Sequence, residues 1–423
     1  MRLKRKYIIL FSLLLIFISI SDIKQARENT VLTPAYLENP FVKALALDYD
    51  RYLQEQMKNR YIPGAAVCII KDDKIVYIRG YGIKDINTQD SISIHTVFRL
   101  GSVSKSISAL FAGILVEDSL ISWDDKIRSF LPEFRLKSES SSDDMMIKHI
   151  LSHTTGLIQH TYTNYIEDGL SLEEIIPALS SVNLIGPPGT VYSYQNLAYS
   201  LIQPIVESAT GMDYETALEE KLFIPMNMKN ASASYEGIIQ NQDVAYPHYF
   251  RKGQLRKSNI TRKYYNAAPA GGVNASIWDM ANFLISATGH KPWIIGQATL
   301  DELYTPQINT NIKYRYFGGW PKMRRSYYGL GFRILEYDNK KVVYHGGYVN
   351  GYRSGMAFLP DDNIGICILT NYSGNLANRG IRDFIDMYIQ YEKNIKEFDN
   401  PLPVAHLRQN ALPDNLHPSV SPL

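Results

Sequence analysis

Strand signals at both ends of the chain, with a long stretch of helical periodicity between them, constrain the fold more than any other feature. Two β-type runs, Gly64 to Lys71 and Lys74 to Tyr81, meet at Asp72-Asp73, a turn signal between β-branched stretches, and read as a hairpin. Four further runs, Tyr328 to Glu336, Lys340 to His345, Ser354 to Leu359 and Ile364 to Leu369, read as strands near the other end. From Ser102 to about residue 283 the pattern is mainly helical, with polar loops at Lys137 to Asp144 and at Pro187-Pro188-Gly189. The architecture expected is α+β: an antiparallel sheet flanked by helices and formed from both chain ends, with the mainly helical region inserted beside it and a cleft between the two. A helix over Phe41 to Lys58 leads into the sheet, and one near Asn378 to Glu392 covers it.

The domain so defined spans residues 42–392, preceded by an arm at 22–41 and followed by a Pro-containing tail at 393–423. The start of the chain, Met1-Arg-Leu-Lys-Arg-Lys-Tyr7 and then the apolar run Ile8 to Ile20, reads as a secretory signal over residues 1–21. Ser19 and Ser21 place small residues before a cut at Asp22; the alternative is an uncleaved anchor that tethers the protein to a membrane. Either way the bulk of the chain is expected outside the cytoplasm. A hydrophobic fraction of 45% supplies an ample core, and 44 basic residues against 42 acidic ones make no case for nucleic acid. The two cysteines, Cys68 and Cys367, each sit in a β-like apolar run; an oxidising compartment permits a disulfide between them, but two are too few for a disulfide framework and they read first as buried thiols.

Within the helical region, Ser102-Val-Ser-Lys105 puts a hydroxyl and an amine one helical turn apart. Ile107, Leu110, Phe111, Ile114 and Leu115 follow at helical spacing, so Ser102 falls near the first turn of a buried helix. Residues three apart on a helix share a face, roughly 5–6 Å apart at Cβ. Burial and neighbouring cations would favour a neutral Lys105 able to act as a base, and the unpaired amides of the helix start favour negative charge on an attacked carbonyl. The spacing alone is weak, since on the order of one or two such matches arise by chance in a chain this long.

Two further motifs follow in order: Tyr194-x-Asn196, and His345-Gly346-Gly347 in the strand region. Together with Ser102-x-x-Lys105 they resemble the three motifs of the penicillin-recognising serine hydrolases, a superfamily that includes class C β-lactamases, D-Ala-D-Ala carboxypeptidases, D-aminopeptidases and related esterases. His149-Ile-Leu-Ser-His-Thr-Thr-Gly-Leu157, Tyr328-Gly-Leu-Gly-Phe332 and Phe358-Leu-Pro to Leu369-Thr-Asn371 extend the resemblance across roughly residues 42 to 392. It implies that Ser102 forms an acyl-enzyme, with Lys105 and Tyr194 sharing the proton traffic. It further implies that Asn196 holds Lys105 and the substrate amide. The backbone N–H groups of Ser102 and Tyr348 then form an oxyanion hole, and His345 and Gly347 border the substrate. No metal and no cofactor is called for: His149 and His153 stand four apart but lack a third ligand of suitable spacing.

The third motif departs from the Lys-Thr-Gly of class C β-lactamases. His345-Gly-Gly347 lacks a permanent cation and a hydroxyl, which tilts the expectation away from β-lactams and towards D-amino-acid peptides or esters; Arg353 is a candidate replacement cation or a plain strand residue. The readings that stand are an exported acyl hydrolase, a true β-lactamase, and a non-catalytic penicillin-binding-like module. The partner expected is a small-molecule or peptide substrate. The basic segment Arg251 to Lys263 reads as a solvated surface able to meet an acidic partner.

Overall fold

The computed structural model describes residues 30–31, 40–311 and 320–399; the signal or anchor at 1–21, the arm apart from Thr30, Val31 and its last residues, and the tail beyond 399 lie outside the described residues. Thirteen strands can be followed: β1 Thr30–Val31, β2 Gly64–Lys71, β3 Lys74–Gly82, β4 Phe98–Arg99, β5 His248–Arg251, β6 Gln254–Lys257, β7 Asn274–Ala275, β8 Ile308–Asn309, β9 Met323–Tyr328, β10 Arg333–Tyr337, β11 Lys340–Val349, β12 Tyr352–Leu359 and β13 Ile364–Thr370. Nine of them form one sheet in the order β1-β3-β2-β13-β12-β11-β10-β9-β8, so strands from the two ends of the chain meet where β2 pairs antiparallel with β13. The helices that frame it are α1 Pro40–Arg60, α2 Ser104–Glu117, α3 Asn196–Ser200, α4 Ile277–Ala287 and α5 Leu376–Asp399.

Alternation along the central strands sorts the core into two layers. Ala65, Val67 and Ile69 of β2 join Leu45, Tyr49 and Leu53 of α1 and Ile381, Phe384 and Ile385 of α5 on one face. Ala66, Cys68 and Ile70 point the other way, into a larger cluster with α2 and α4 and the inserted helical region. Cys68 and Cys367 are direct partners across β2 and β13; both are fully buried and free, and burial pushes both thiols up. Among the described residues no helix is long and apolar enough to cross a membrane.

Several sequence expectations need correction. The Tyr328 to Glu336 run is two strands, broken over Gly329–Phe332. Gly331 has φ +75° there, and a Cβ on it would lie 2.3 Å from Ala109 Cβ, so the chain turns against α2 instead of extending. Lys137 to Asp144 is no plain loop: Ser138 accepts from Ser141 N and starts a helix over Glu139–Asp144. The mainly helical region contains a separate two-stranded hairpin, β5–β6. The strand expected at Lys340 to His345 continues to Val349, and α5 runs seven residues past Glu392, to Asp399.

Candidate active site

Gly101–Val103 forms a single 3₁₀ turn that feeds directly into α2, placing Ser102 half-exposed at the head of that helix. The serines that follow are structural. Ser104 Oγ accepts from Val273 N at 3.0 Å, Ser106 Oγ donates to Gly331 O at 2.8 Å, and Ser108 Oγ donates to Ser104 O at 2.9 Å. They fix the start of α2 to its neighbours and leave Ser102 to the cleft.

Lys105 is fully buried, and its Nζ donates to Asn196 Oδ1 and to Ala270 O, both at 2.8 Å. Nζ also lies 4.7 Å from the centre of the Tyr194 ring and 5.5 Å from that of Tyr199. Its acceptors are neutral, and among the described residues no carboxylate pairs with it to offset the cost of burying an ammonium; burial first, and then the nearby Arg333 guanidinium, hold its pKa well below the usual lysine range. Asn196 opens α3, and its Nδ2 donates to Tyr264 Oη at 3.3 Å, while Tyr264 Oη donates to Glu167 at 3.0 Å. Ser102, Lys105, Tyr194 and Asn196, distant in sequence, are thereby gathered at one place.

Tyr194 is fixed from behind by His153. That imidazole is fully buried, accepts from Gln195 N at 3.2 Å through Nδ1, and packs 4.2 Å from the Tyr194 ring. His149, four residues earlier, accepts from Met146 N through its own Nδ1. Each histidine thus has one ring nitrogen committed to the backbone.

The third motif lies on β11. Pairing of β10 with β11 stops at Arg333↔Tyr344, whereas β12 stays paired with β11 out to Val349. Beyond Tyr344 the far edge of β11 is therefore open, and the Ser102 turn packs there. Gly347 admits no side chain: a Cβ would fall 2.0 Å from Leu100 O. Gly101, at φ +52°, is also packed tightly against Tyr348, whose backbone N would be 2.7 Å from a Cβ placed on it. The N–H groups of Ser102 and Tyr348 belong to the two segments that meet at this contact.

His345 does not take the substrate-facing position expected of it. It is fully buried, with Nδ1 on Gly346 O at 3.0 Å and Nε2 on Tyr328 Oη at 2.9 Å, and it stands behind the cleft wall that Gly346, Gly347 and Tyr348 form. The physical reason is position along the strand: alternation puts His345 on the same face of β11 as Gly347, but two residues before the contact with the nucleophile turn, where the Tyr328 side chain encloses the ring. Burial, then Arg333 and Lys105, hold its pKa well below the ordinary histidine range.

The cleft encloses about 600 Å³ and is bordered by Ser102, Tyr194 and Asn196 on one side and Gly346 to Tyr348 on the other. Its cations come from residues outside the three motifs. Arg333 is buried at the start of β10, its guanidinium 5.6 Å from the Tyr194 ring centre and 5.4 Å from that of Tyr328. Arg353, the direct cross-strand partner of Tyr348, lays its guanidinium 4.4 Å from that ring, and Arg379 reaches the cleft from α5. No Asp or Glu is among the described residues that line it. Arg333 directly follows Tyr328-Gly-Leu-Gly-Phe332, so the turn before it carried a signal, while Arg379 lies on a helix whose pattern shows only its apolar face.

The beta-lactamase family model matches residues 49–387 of this sequence. The chain belongs to the beta-lactamase family. Its fold and motifs place it among the penicillin-recognising serine hydrolases. Beta-lactamase-like protein 4 of Dictyostelium discoideum is 28% identical over 377 residues, which cover 83% of this chain and 64% of that protein. An unguisins hydrolase of Aspergillus campestris is 23% identical over 349 residues, 79% of this chain and 63% of its own length. The chain thus spans less than two thirds of either relative. Among solved structures, the octameric penicillin-binding protein homologue from Pyrococcus abyssi matches with a TM-score of 0.68 at 25% identity, over 82% of this chain and 77% of that one. EstCE1, a hydrolase with promiscuous acyltransferase activity, has the same fold, with a TM-score of 0.68 at 18% identity over 81% of this chain and 98% of its own.

Proposed function

We propose that this protein is a serine acyl hydrolase working through a Ser102 acyl-enzyme on amides or esters whose leaving or acyl part carries a carboxylate, with D-amino-acid peptides the favoured class. The observation that carries the reading is the state of Lys105: fully buried, donating only to neutral oxygens, and pushed towards the free amine beside the cleft that Ser102 faces. A neutral amine there can take the Ser102 hydroxyl proton, directly or through Tyr194, as the Oγ–C bond forms. The pair acts as one coupled unit. The developing oxyanion meets the N–H groups of Ser102 and Tyr348, the leaving group departs with the proton that Ser102 lost, and water then repeats the sequence to free the enzyme. Asn196 holds the amine in place and offers its amide to the substrate. The arginines around the cleft, with no Asp or Glu among the described residues that line it, support a carboxylate on the substrate.

A second reading, a β-lactamase, is favoured by the same arginines, because a β-lactam also carries a carboxylate. Against it stands the missing lysine and hydroxyl of the third motif, with His345 withdrawn behind the wall. Intact-mass measurement after a fluorophosphonate, with wild type and Ser102→Ala, tests the acyl-enzyme: labelling of wild type alone is expected, and no labelling would sink the hydrolase. Turnover of D-Ala-D-Ala peptides and p-nitrophenyl esters against nitrocefin then separates the two readings. The basic and apolar start of the chain supports export, which fractionation of the producing cells would test.

A further inference from the structure

The β5–β6 hairpin stands apart from the main sheet and has no role in the chemistry above. Its base is anchored. His248 N donates to Asn371 O at 2.8 Å, His248 Nε2 accepts from Ile86 N at 3.2 Å, and Lys257 pairs with Asp85 at 2.5 Å. Its tip is a tight turn in which Lys252 and Gly253 both have positive φ, +50° and +77°, so Arg251 and Lys252 are held at the apex.

Register decides what flanks them. Phe250 opposes Leu255 on one face of the ribbon, and Tyr249 opposes Arg256 on the other. Phe250 is 48% exposed, Tyr249 37%, and Tyr61, whose ring centre lies 6.5 Å from that of Phe250, is 74% exposed. Three large aromatics therefore surround a cationic tip in open solvent, where burying them would have been favourable. The segment 249–263 holds six basic residues and no acidic one. Lys257, Arg262 and Lys263 have carboxylate partners; Arg251, Lys252 and Arg256 have none among the described residues.

We propose that the β5–β6 hairpin tip is a docking element for the surface of an anionic lipid bilayer, with Arg251, Lys252 and Arg256 meeting headgroups and Tyr249, Phe250 and Tyr61 entering the interfacial layer. Charge alone would suit any polyanion. Exposed aromatics beside the cations are what an interface between water and hydrocarbon rewards, which favours lipid over a soluble polymer. The base of the hairpin is tied to the turn that follows the cleft-lining end of β11: Asn350 donates through Nδ2 to Asn259 O at 2.9 Å, just past β6.

Because Cys68 and Cys367 are fully buried, a Phe250→Cys substitution in the full chain supplies one accessible thiol for an NBD label. On vesicles of about one third phosphatidylglycerol in phosphatidylcholine, NBD at 250 should brighten and shift to the blue, with no response to phosphatidylcholine alone. Adding Arg251→Glu, Lys252→Glu and Arg256→Glu should weaken that response about tenfold or more. A silent label on anionic vesicles overturns the proposal even if the protein binds them, since the contact would then lie elsewhere. An equal response to neutral vesicles, an unweakened charge-reversed variant, or an equal response to soluble polyphosphate overturns it too.

Discussion

Gly101 and Tyr348 touch backbone to backbone: a Cβ on Gly101 would lie 2.7 Å from Tyr348 N and 2.9 Å from Tyr348 O. This contact brings the turn that carries Ser102 against the open edge of β11, and so sets the spacing of the two N–H groups proposed to receive the oxyanion.

Gly101→Ala should therefore damage acylation more than folding. The left-handed φ of +52° costs a side chain about 1–2 kcal/mol, a loss the fold can absorb. The clash with Tyr348 forces the turn away from the strand, and a displacement near 1 Å at reacting groups costs about a hundredfold in rate. Fluorophosphonate labelling rate set beside the melting temperature checks this. A wild-type labelling rate in a folded variant would remove the contact from the mechanism.

The buried guanidinium of Arg333 should be visible in the pH–rate profile. Burial is the main cause that lowers Lys105, and Arg333 adds to it, so the free amine persists to lower pH than an isolated lysine would allow. Activity should rise with pH through the Lys105 titration. Removing the cation in Arg333→Met raises the Lys105 pKa and moves this acid limb to higher pH; Arg333→Lys should leave it nearly in place. An unmoved limb in Arg333→Met would show that the proton is held elsewhere.

Carboxylate recognition separates two other arginines from the chemistry. Arg353→Ala and Arg379→Ala should each raise KM by about tenfold or more for peptides with a free C-terminal carboxylate, the worth of one charge-assisted hydrogen bond, with kcat little changed. The matched C-terminal amides should be insensitive. Equal losses on acid and amide substrates would mean that the arginines only shape the wall, as the stacking of Arg353 on Tyr348 allows.

How much of this was legible in the sequence differs by kind of signal. The β2–β3 hairpin and the closing strands were readable because alternation and turn residues are local, and three short motifs in order sufficed to bring Ser102, Lys105, Tyr194 and Asn196 into one site. What failed to show was anything set by contact across the fold. The break at Gly331 depends on Ala109 of α2, the burial of His345 on the Tyr328 side chain that encloses it, and the hairpin at 248–257 on anchors as distant as Asp85 and Asn371. Arg333 became a cleft residue only because that break reorients β10. A strand residue read from alternation alone has no assigned side of a cleft.

Buried histidines give the last test, on stability. His153 and His345 are fully enclosed, and for both burial, with the surrounding cations, holds the pKa well below the ordinary value near 6.5. The native state therefore keeps both rings neutral, while the unfolded chain takes up protons as pH falls below about 6.5. With more protons bound in the unfolded state, stability rises with pH in that window, so it is fully present above about 6.5 and is lost as pH falls towards the depressed native values. Each histidine contributes a slope of up to about 1.4 kcal/mol per pH unit. His345→Asn should lower stability at pH 8, because Tyr328 Oη and Gly346 O lose partners, yet should flatten the decline between pH 6.5 and 5. Melting temperatures across that range decide it: a variant that falls as steeply as wild type would show that His345 is not what titrates.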